Sequence, residues 1–231
     1  MAGNSRTQQQ DLSDSAARIA ELELVGGRAC LDFVNTVDPR VGGKPQDYLA
    51  SYADLVRWAE HAHLLAPDQV ATLLDTAARR PKDAQAIFER AITLREILYR
   101  LFSAIAARKL PDPADLASMQ AAYVESQAKA SLVPASGGLA WRWPTGTDAL
   151  DQVLWPIVRS AIELATSSEV RRVKECPGLG DCGWLFVDTS KSGRRRWCSM
   201  ESCGSRAKMR TYYARTHGRP AAPQQNSPVD S

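Results

Sequence analysis

The sequence predicts a mainly α fold with one small β-hairpin, arranged as a helical N-terminal domain followed by a compact cysteine-rich module. Three observations carry this expectation. Apolar residues recur at intervals of three and four over most of residues 51–167, which is the helical period. One stretch, "SLVPASGGLAWRW" (131–143), places two short β-like runs around a Pro/Gly turn, as a hairpin does. Four of the chain's five cysteines fall between residues 176 and 203.

The elements follow in order. Residues 1–14 are poor in large apolar side chains and are expected to be disordered. "ELELVGG" alternates Leu22 and Leu24 with acids before Gly26 and Gly27, a short strand signal. "ACLDFVNT" (29–36) reads as a short helix, and "VDPRVGGKPQ" as a Gly/Pro loop. Ser51 suits the N-cap of a helix that turns Leu55, Val56, Trp58, Ala59 and Ala62 inward. Pro67 suits the first turn of the next, with Val70, Leu73, Leu74 and Ala77 inside. The longest periodic run, 84–109, carries Ile87, Ala91, Leu94, Leu98, Leu101, Phe102 and Ile105. A further helix is expected over 114–130. Beyond the hairpin, Val153, Leu154, Ile157, Val158, Ile162 and Leu164 restore helical spacing, and Pro156 within that run marks either a kink or a start. Residues 15–168 thus form the helical domain, 169–217 the cysteine module, and 218–231 a tail expected to be disordered.

The 231-residue chain has a net charge of +3, which hides an asymmetry. Residues 170–219 hold twelve Lys/Arg against four Asp/Glu, or +8, whereas residues 1–169 sum to −4. The basic end is the one suited to a polyanion. No run approaches the roughly 18–20 apolar residues of a membrane span, and the polar N-terminus has no signal-peptide core, so a cytoplasmic protein with no membrane partner is expected.

The cysteines read C-x5-C, fifteen residues, C-x4-C: Cys176, Cys182, Cys198 and Cys203. In a reducing compartment a disulfide framework is disfavoured, whereas two close pairs of thiolates separated by a loop suit tetrahedral zinc. One structural Zn2+ is expected, with disulfides or unliganded thiols as the alternative. Four cysteines close the coordination sphere and leave no place for water, so the ion is not expected to be catalytic. Gly178, Gly180 and Gly183 allow the loop to bend around the metal. "WLFVD" reads as a strand, "RRRWC" as a returning strand, and Cys203 opens a final helix. The plan is that of a treble-clef-like four-cysteine zinc finger. Cys30, in an apolar run, reads as a buried small hydrophobe. The sequence contains no P-loop, dinucleotide fingerprint, nucleophile elbow or H-E-x-x-H motif, and nothing in it argues for an enzyme.

The stretch "CGWLFVDTSKSGRRRWCSMESCGSRAK" resembles the CGNR zinc-finger proteins of bacteria. Their Cys-Gly-Asn-Arg signature stands here as Cys203-Gly204-Ser205-Arg206, with serine in the asparagine position; both can hydrogen-bond a turn or a helix start. "GGRACLDFVNT" (26–36) is similar to the opening signature of the ABATE domain usually paired with this finger. Together the two motifs span most of residues 22–216. The resemblance implies a stress-responsive transcription regulator.

In a helix from Met200 to His217, Arg206, Arg210, Tyr213 and His217 share one face, and Lys208, Tyr212, Arg215 and Arg219 form a second stripe. Arg194, Arg195 and Arg196 lie nearby through the shared metal. Arg194, Arg195, Arg196, Arg206, Lys208, Arg210 and Arg215 are therefore the candidate contacts to double-stranded DNA. The alternative is a protein-interaction module that docks on an acidic partner without specific DNA binding. A homodimer would add a second half-site to a finger that reads few bases alone. In the helical domain, Asp32, Asn35 and Arg95 are candidates to line a pocket for a small polar or anionic ligand; the plainer reading is that Arg95 pairs with an acid and holds helices together. Trp58, Trp141, Trp143 and Trp155 either wall such a pocket or are core.

Overall fold

The structure is a computed structural model that describes residues 15–217. The disordered segments expected at 1–14 and 218–231, and Arg219 with them, lie outside the described residues. Among the described residues eight α-helices dominate: α1 (15–20), α2 (Ala29–Val34), α3 (Tyr52–His61), α4 (Pro67–Arg79), α5 (Pro81–Ala106), α6 (Pro113–Gln127), α7 (Trp155–Thr166) and α8 (Ser205–His217). Three two-stranded antiparallel pairs accompany them: β1 (Val37–Asp38) with β2 (Gln46–Asp47), β3 (Ser131–Ala135) with β4 (Gly138–Arg142), and β5 (Val173–Glu175) with β6 (Leu185–Val187).

Local chemistry sets most boundaries. The Ser51 hydroxyl accepts from the Asp54 amide at the start of α3, and the Asp112 carboxylate accepts from Ala114 N at the start of α6. Prolines 67, 81, 113 and 156 occupy first turns, where a missing amide hydrogen costs nothing. Pro156 therefore marks a start: a 3-10 turn, Leu150–Leu154, feeds directly into α7. The long helix begins at Pro81 rather than residue 84 because that proline restarts the chain immediately after α4. It stops at Ala106, short of residue 109, where Arg108 turns the backbone at φ 60°.

α5 is the spine, about 39 Å long at 1.5 Å per residue. It buries Ala91, Leu94, Leu98, Leu101 and Phe102 against α2, α3, α6 and β5. α2 sits at the centre of the molecule, between α5, α7 and β6, with Cys30, Leu31, Phe33 and Val34 sealed from solvent. It is entered through Gly26, whose amide donates to Asp32 Oδ1 at 2.7 Å. A Cβ at Gly26 would lie 2.8 Å from both Asp32 N and Leu31 Cβ, so only glycine fits.

Two expected strands are corrected. Residues 22–25 form no strand, although Leu22 is buried between exposed acids. The alternation lacks a neighbouring ladder: Leu22 O accepts from His61 Nε2, and Gly26 O accepts from Val187 N. "RRRWC" is likewise not a strand, because β5 occupies one edge of β6, in the register Val173↔Val187, Lys174↔Phe186, Glu175↔Leu185, and Asn35 and Gly26 take the backbone groups of the other. The 189–197 segment instead wraps around two charges. Lys174 Nζ reaches the carbonyls of Gly193 and Arg195, and the Asp188 carboxylate takes the amides of Ser190 and Arg195.

The cysteine segment shares its core with the helices. Leu185, Phe186 and Val187 are buried in the same apolar cluster as α2, α5 and α7. Each such side chain contributes about 1.5–3 kcal/mol when fully buried. Asn35, which caps the C-terminus of α2, locks this junction. Its Nδ2 donates to Leu185 O and its Oδ1 accepts from Leu185 N, both at 2.9 Å. Asn35→Ala is expected to leave both backbone groups unpaired and to cost about 2–4 kcal/mol, read as a lower midpoint in urea denaturation followed by circular dichroism.

Candidate zinc centre and basic helix

The Sγ atoms of Cys176, Cys182, Cys198 and Cys203 all lie within 4.8 Å of one another, and all four residues are buried. Cys182–Cys198 and Cys198–Cys203 are each 3.7 Å apart. A zinc ion with Zn–S bonds of about 2.3 Å requires tetrahedral edges of about 3.8 Å, so the donor set fits the ion. The backbone builds the first pair into a knuckle: Gly183 N donates to Cys176 O at 3.0 Å, and Cys176 N to Trp184 O at 2.8 Å. Gly183 takes φ +74°, and a Cβ there would meet Arg40 Cβ at 2.9 Å. The 38–45 loop closes over this knuckle, with Arg40 N donating to Cys182 O.

Cys203 lies in a wide π-type turn, Met200–Gly204, that runs into α8. Ser199 caps this turn through the amides of Glu201 and Ser202, and Ser205 Oγ donates to Met200 O at 3.1 Å. The serine in place of the signature asparagine thus supplies a hydrogen bond to the turn. Zinc with four thiolates carries a formal charge of −2, and it stands at the N-terminus of a helix that contains no acidic residue. Arg206 offsets part of that charge: Nη2 donates to Cys203 Sγ at 3.1 Å, and Nη1 pairs with Asp181 at 3.4 Å.

Two family models match the chain. One, ABATE, described as "Putative stress-induced transcription regulator", covers residues 27–168, and the other, the CGNR zinc finger, covers residues 172–216. The chain belongs to the ABATE family and carries a CGNR zinc finger. No curated protein matches the chain. The four cysteines hold one structural zinc, in keeping with the finger family and the closed donor set.

Within this CGNR finger the candidate DNA contacts sort into two groups. Arg195 is folded inward. Its Nε donates to Trp197 O at 3.0 Å, its Nη2 to Cys198 O, and its guanidinium lies 4.5 Å from the Phe186 ring centroid. Arg195 and Arg206 therefore brace the finger, Arg206 while remaining exposed to solvent. Arg194, Arg196, Lys208, Arg210 and Arg215 are exposed, Arg196 lying over the half-buried Trp197 ring at 4.9 Å. From Lys208 to Thr216 every residue of α8 is exposed, with Tyr212 at 61% and Tyr213 at 54%.

Each of the three residues expected to line a ligand pocket, Asp32, Asn35 and Arg95, has a partner within the fold. Asp32 holds the Gly26 turn and Asn35 clamps Leu185. Arg95 makes a two-point pair with Asp47 and donates to Thr36 Oγ1 at 3.0 Å. The plainer reading of Arg95 is the one realised. Asp188 and Lys174 are functional in the fold and were not anticipated; they are 14 residues apart, their nitrogen and oxygen meet at 2.6 Å, and no local motif announces them. Burial alone would raise the Asp188 carboxyl, but Lys174 and Ser190 hold it well below the ordinary range.

Zinc content is expected at one ion per chain by native mass spectrometry, lost in Cys198→Ser and retained in Cys30→Ala. Because the finger shares the helical core, chelation should lower the melting temperature of the whole chain rather than of a separate unit. Asp32 provides a pH signature. Burial pushes its carboxyl from 3.8 to about 6, against the Gly26 amide and the nearby His61, which favour the charged form. The folded state then binds this proton more tightly than the unfolded one. Stability from this group is full below about pH 4, falls by about 3 kcal/mol as pH rises through 6, and is flat above. Asp32→Asn, whose Oδ1 can still accept from Gly26, should gain stability relative to wild type over that interval in melts taken from pH 4 to 7.

Proposed function

We propose that the protein is a DNA-binding transcription regulator in which the zinc-anchored α8 enters a groove of duplex DNA. The observation that carries this reading is the character of α8 itself. It carries Lys208, Arg210 and Arg215 beyond the bracing Arg206 and no acid, and every residue from Lys208 to Thr216 is exposed, one turn after a metal-held junction. A rigid base with a solvated cationic helix is the arrangement by which recognition helices reach base edges. Arg194 and Arg196 flank the same centre and add contacts to the phosphate backbone. The family description, a stress-induced transcription regulator, supports the reading. Pairing of two copies on a twofold site would extend the few bases one finger reads.

A second reading rests on Met209, Tyr212 and Tyr213, which are more than half exposed on the same helix. Tyrosine and methionine are enriched at protein interfaces, so α8 would instead dock on an acidic protein partner.

Fluorescence anisotropy of the zinc-loaded protein on its own upstream region and on scrambled duplex, across salt concentrations, separates the two. The DNA reading expects tighter binding to the upstream region and a steep fall of affinity with salt. Lys208→Ala and Arg210→Ala should each lower the salt slope by about 1, while Arg195→Ala should lower thermal stability instead. Sequence-independent, weak binding that is unchanged in Lys208→Ala and Arg210→Ala would favour the protein-docking reading.

A further inference from the structure

The tryptophans singled out in the sequence do not share one fate. Trp58 is fully buried against Phe33. Trp141, Trp143 and Trp155 come together around one groove between the β3–β4 hairpin and the start of α7, with a volume of about 290 Å³. That size is close to the lower bound for small-molecule pockets. Trp155 forms the buried floor, its Nε1 donating to Asp151 at 3.1 Å. Trp143 is fixed by its Nε1 donating to Ser126 O at 2.9 Å, and the two rings stand 6.1 Å apart, tilted by 36°. Trp141, on β4, is 53% exposed, an indole that the described residues leave largely uncovered.

The charged groups at this groove are cationic. Arg159, one turn along α7 from Trp155, sets its guanidinium 5.6 Å from the Trp143 ring centroid. Glu163, one turn further along the same face of α7 and outside the lining, accepts from Arg159 Nε at 2.6 Å, which leaves the terminal nitrogens for another acceptor. Arg142 lines the same opening, and the amides of Gln69 and Gln152 form its polar edge. Asp151 is not among the lining residues, its carboxylate being engaged by the Trp155 indole. Indole faces attract flat rings by stacking, and arginines beside them attract a carboxylate or phosphate.

We propose that this groove is a binding site for a small planar aromatic anion, with the ring against Trp141 and Trp143 and the anionic group on Arg159 and Arg142. The inference is independent of DNA binding. It relocates the small anionic ligand expected from the sequence, from Arg95 to the far end of α7. The hairpin then has a role beyond its own packing. Two strands exposed on both faces are only marginally stable alone, and a ligand stacked on Trp141 would tie the hairpin to α7.

The test uses the full zinc-loaded chain and 2-naphthoate as probe, with 2-naphthalenemethanol and acetate as partners that lack the charge or the rings. Nitrogen-15 spectra follow the indole N–H signals during titration to millimolar ligand. The expected result is a saturable shift of the Trp143 and Trp155 signals with naphthoate, and binding about five- to tenfold weaker with either partner. Trp141→Ala, at an exposed position, and Arg159→Gln, at a half-buried one, should each weaken naphthoate by a similar factor with an unchanged circular dichroism spectrum. The absence of a saturable shift in the wild type would overturn the proposal. So would equal affinity for naphthoate and the neutral alcohol, or unchanged affinity in both variants.

Discussion

One side-chain amide ties the zinc finger to the helical domain at both backbone groups of a buried strand residue. Asn35 stands at the end of α2, the most enclosed helix in the molecule, and reads both backbone groups of Leu185 as a neighbouring strand would. Other contacts between the helical domain and the finger gather around it. β6 is seated in the helical core, Trp184 next to it donates its indole N–H to Val37 O, and Cys182 just before it accepts from Arg40. A buried two-point hydrogen bond stabilises by little in net terms, but its loss strands two polar groups in an apolar setting. The clamp therefore enforces a position more than it adds stability.

Charge is partitioned around the metal by the same economy of buried groups. The thiolate centre needs nearby donors, and Arg206 and Arg195 meet that need, one on Cys203 Sγ and the other on the Cys198 carbonyl. Asp188, enclosed beneath the loop, is matched by Lys174. Cations drawn into these roles cannot serve the solvent-facing surface equally well. What remains outside, from Arg194 and Arg196 to the α8 residues, is a set of charges without such structural partners, and this is why the proposed contact surface is smaller than the count of basic residues implies.

α7 connects the two ends of the molecule. Its first turn carries Trp155 and, one turn on, Arg159, both at the aromatic groove; its last turn passes through the 3-10 segment Ser168–Arg172 into β5 without a flexible spacer. β5 pairs with β6, and β6 leads back to the knuckle. A contiguous set of rigid elements thus joins the groove to the zinc centre, which is the physical precondition for any coupling between them.

The sequence by itself determined whatever rests on near neighbours along the chain. Helical periods, Ser51 as a cap, the first-turn prolines, the hairpin at 131–143, the positive φ of Gly183 and the four zinc ligands are all dictated within a few residues or by the chemistry of the thiolate. Tertiary structure decided what depends on competition between distant partners. "RRRWC" has the composition of a strand, but β5 took one edge of β6 while Asn35 and Gly26 took the other. Arg95 found Asp47, 48 residues away, rather than a ligand, and three of the helical domain's four tryptophans met at a groove while Trp58 went to the core. Local preference differs by tenths of a kilocalorie per residue, whereas pairing a buried charge or a backbone amide is worth several times more. Where the two disagree, the long-range pairing wins, and a linear reading has no means of seeing it.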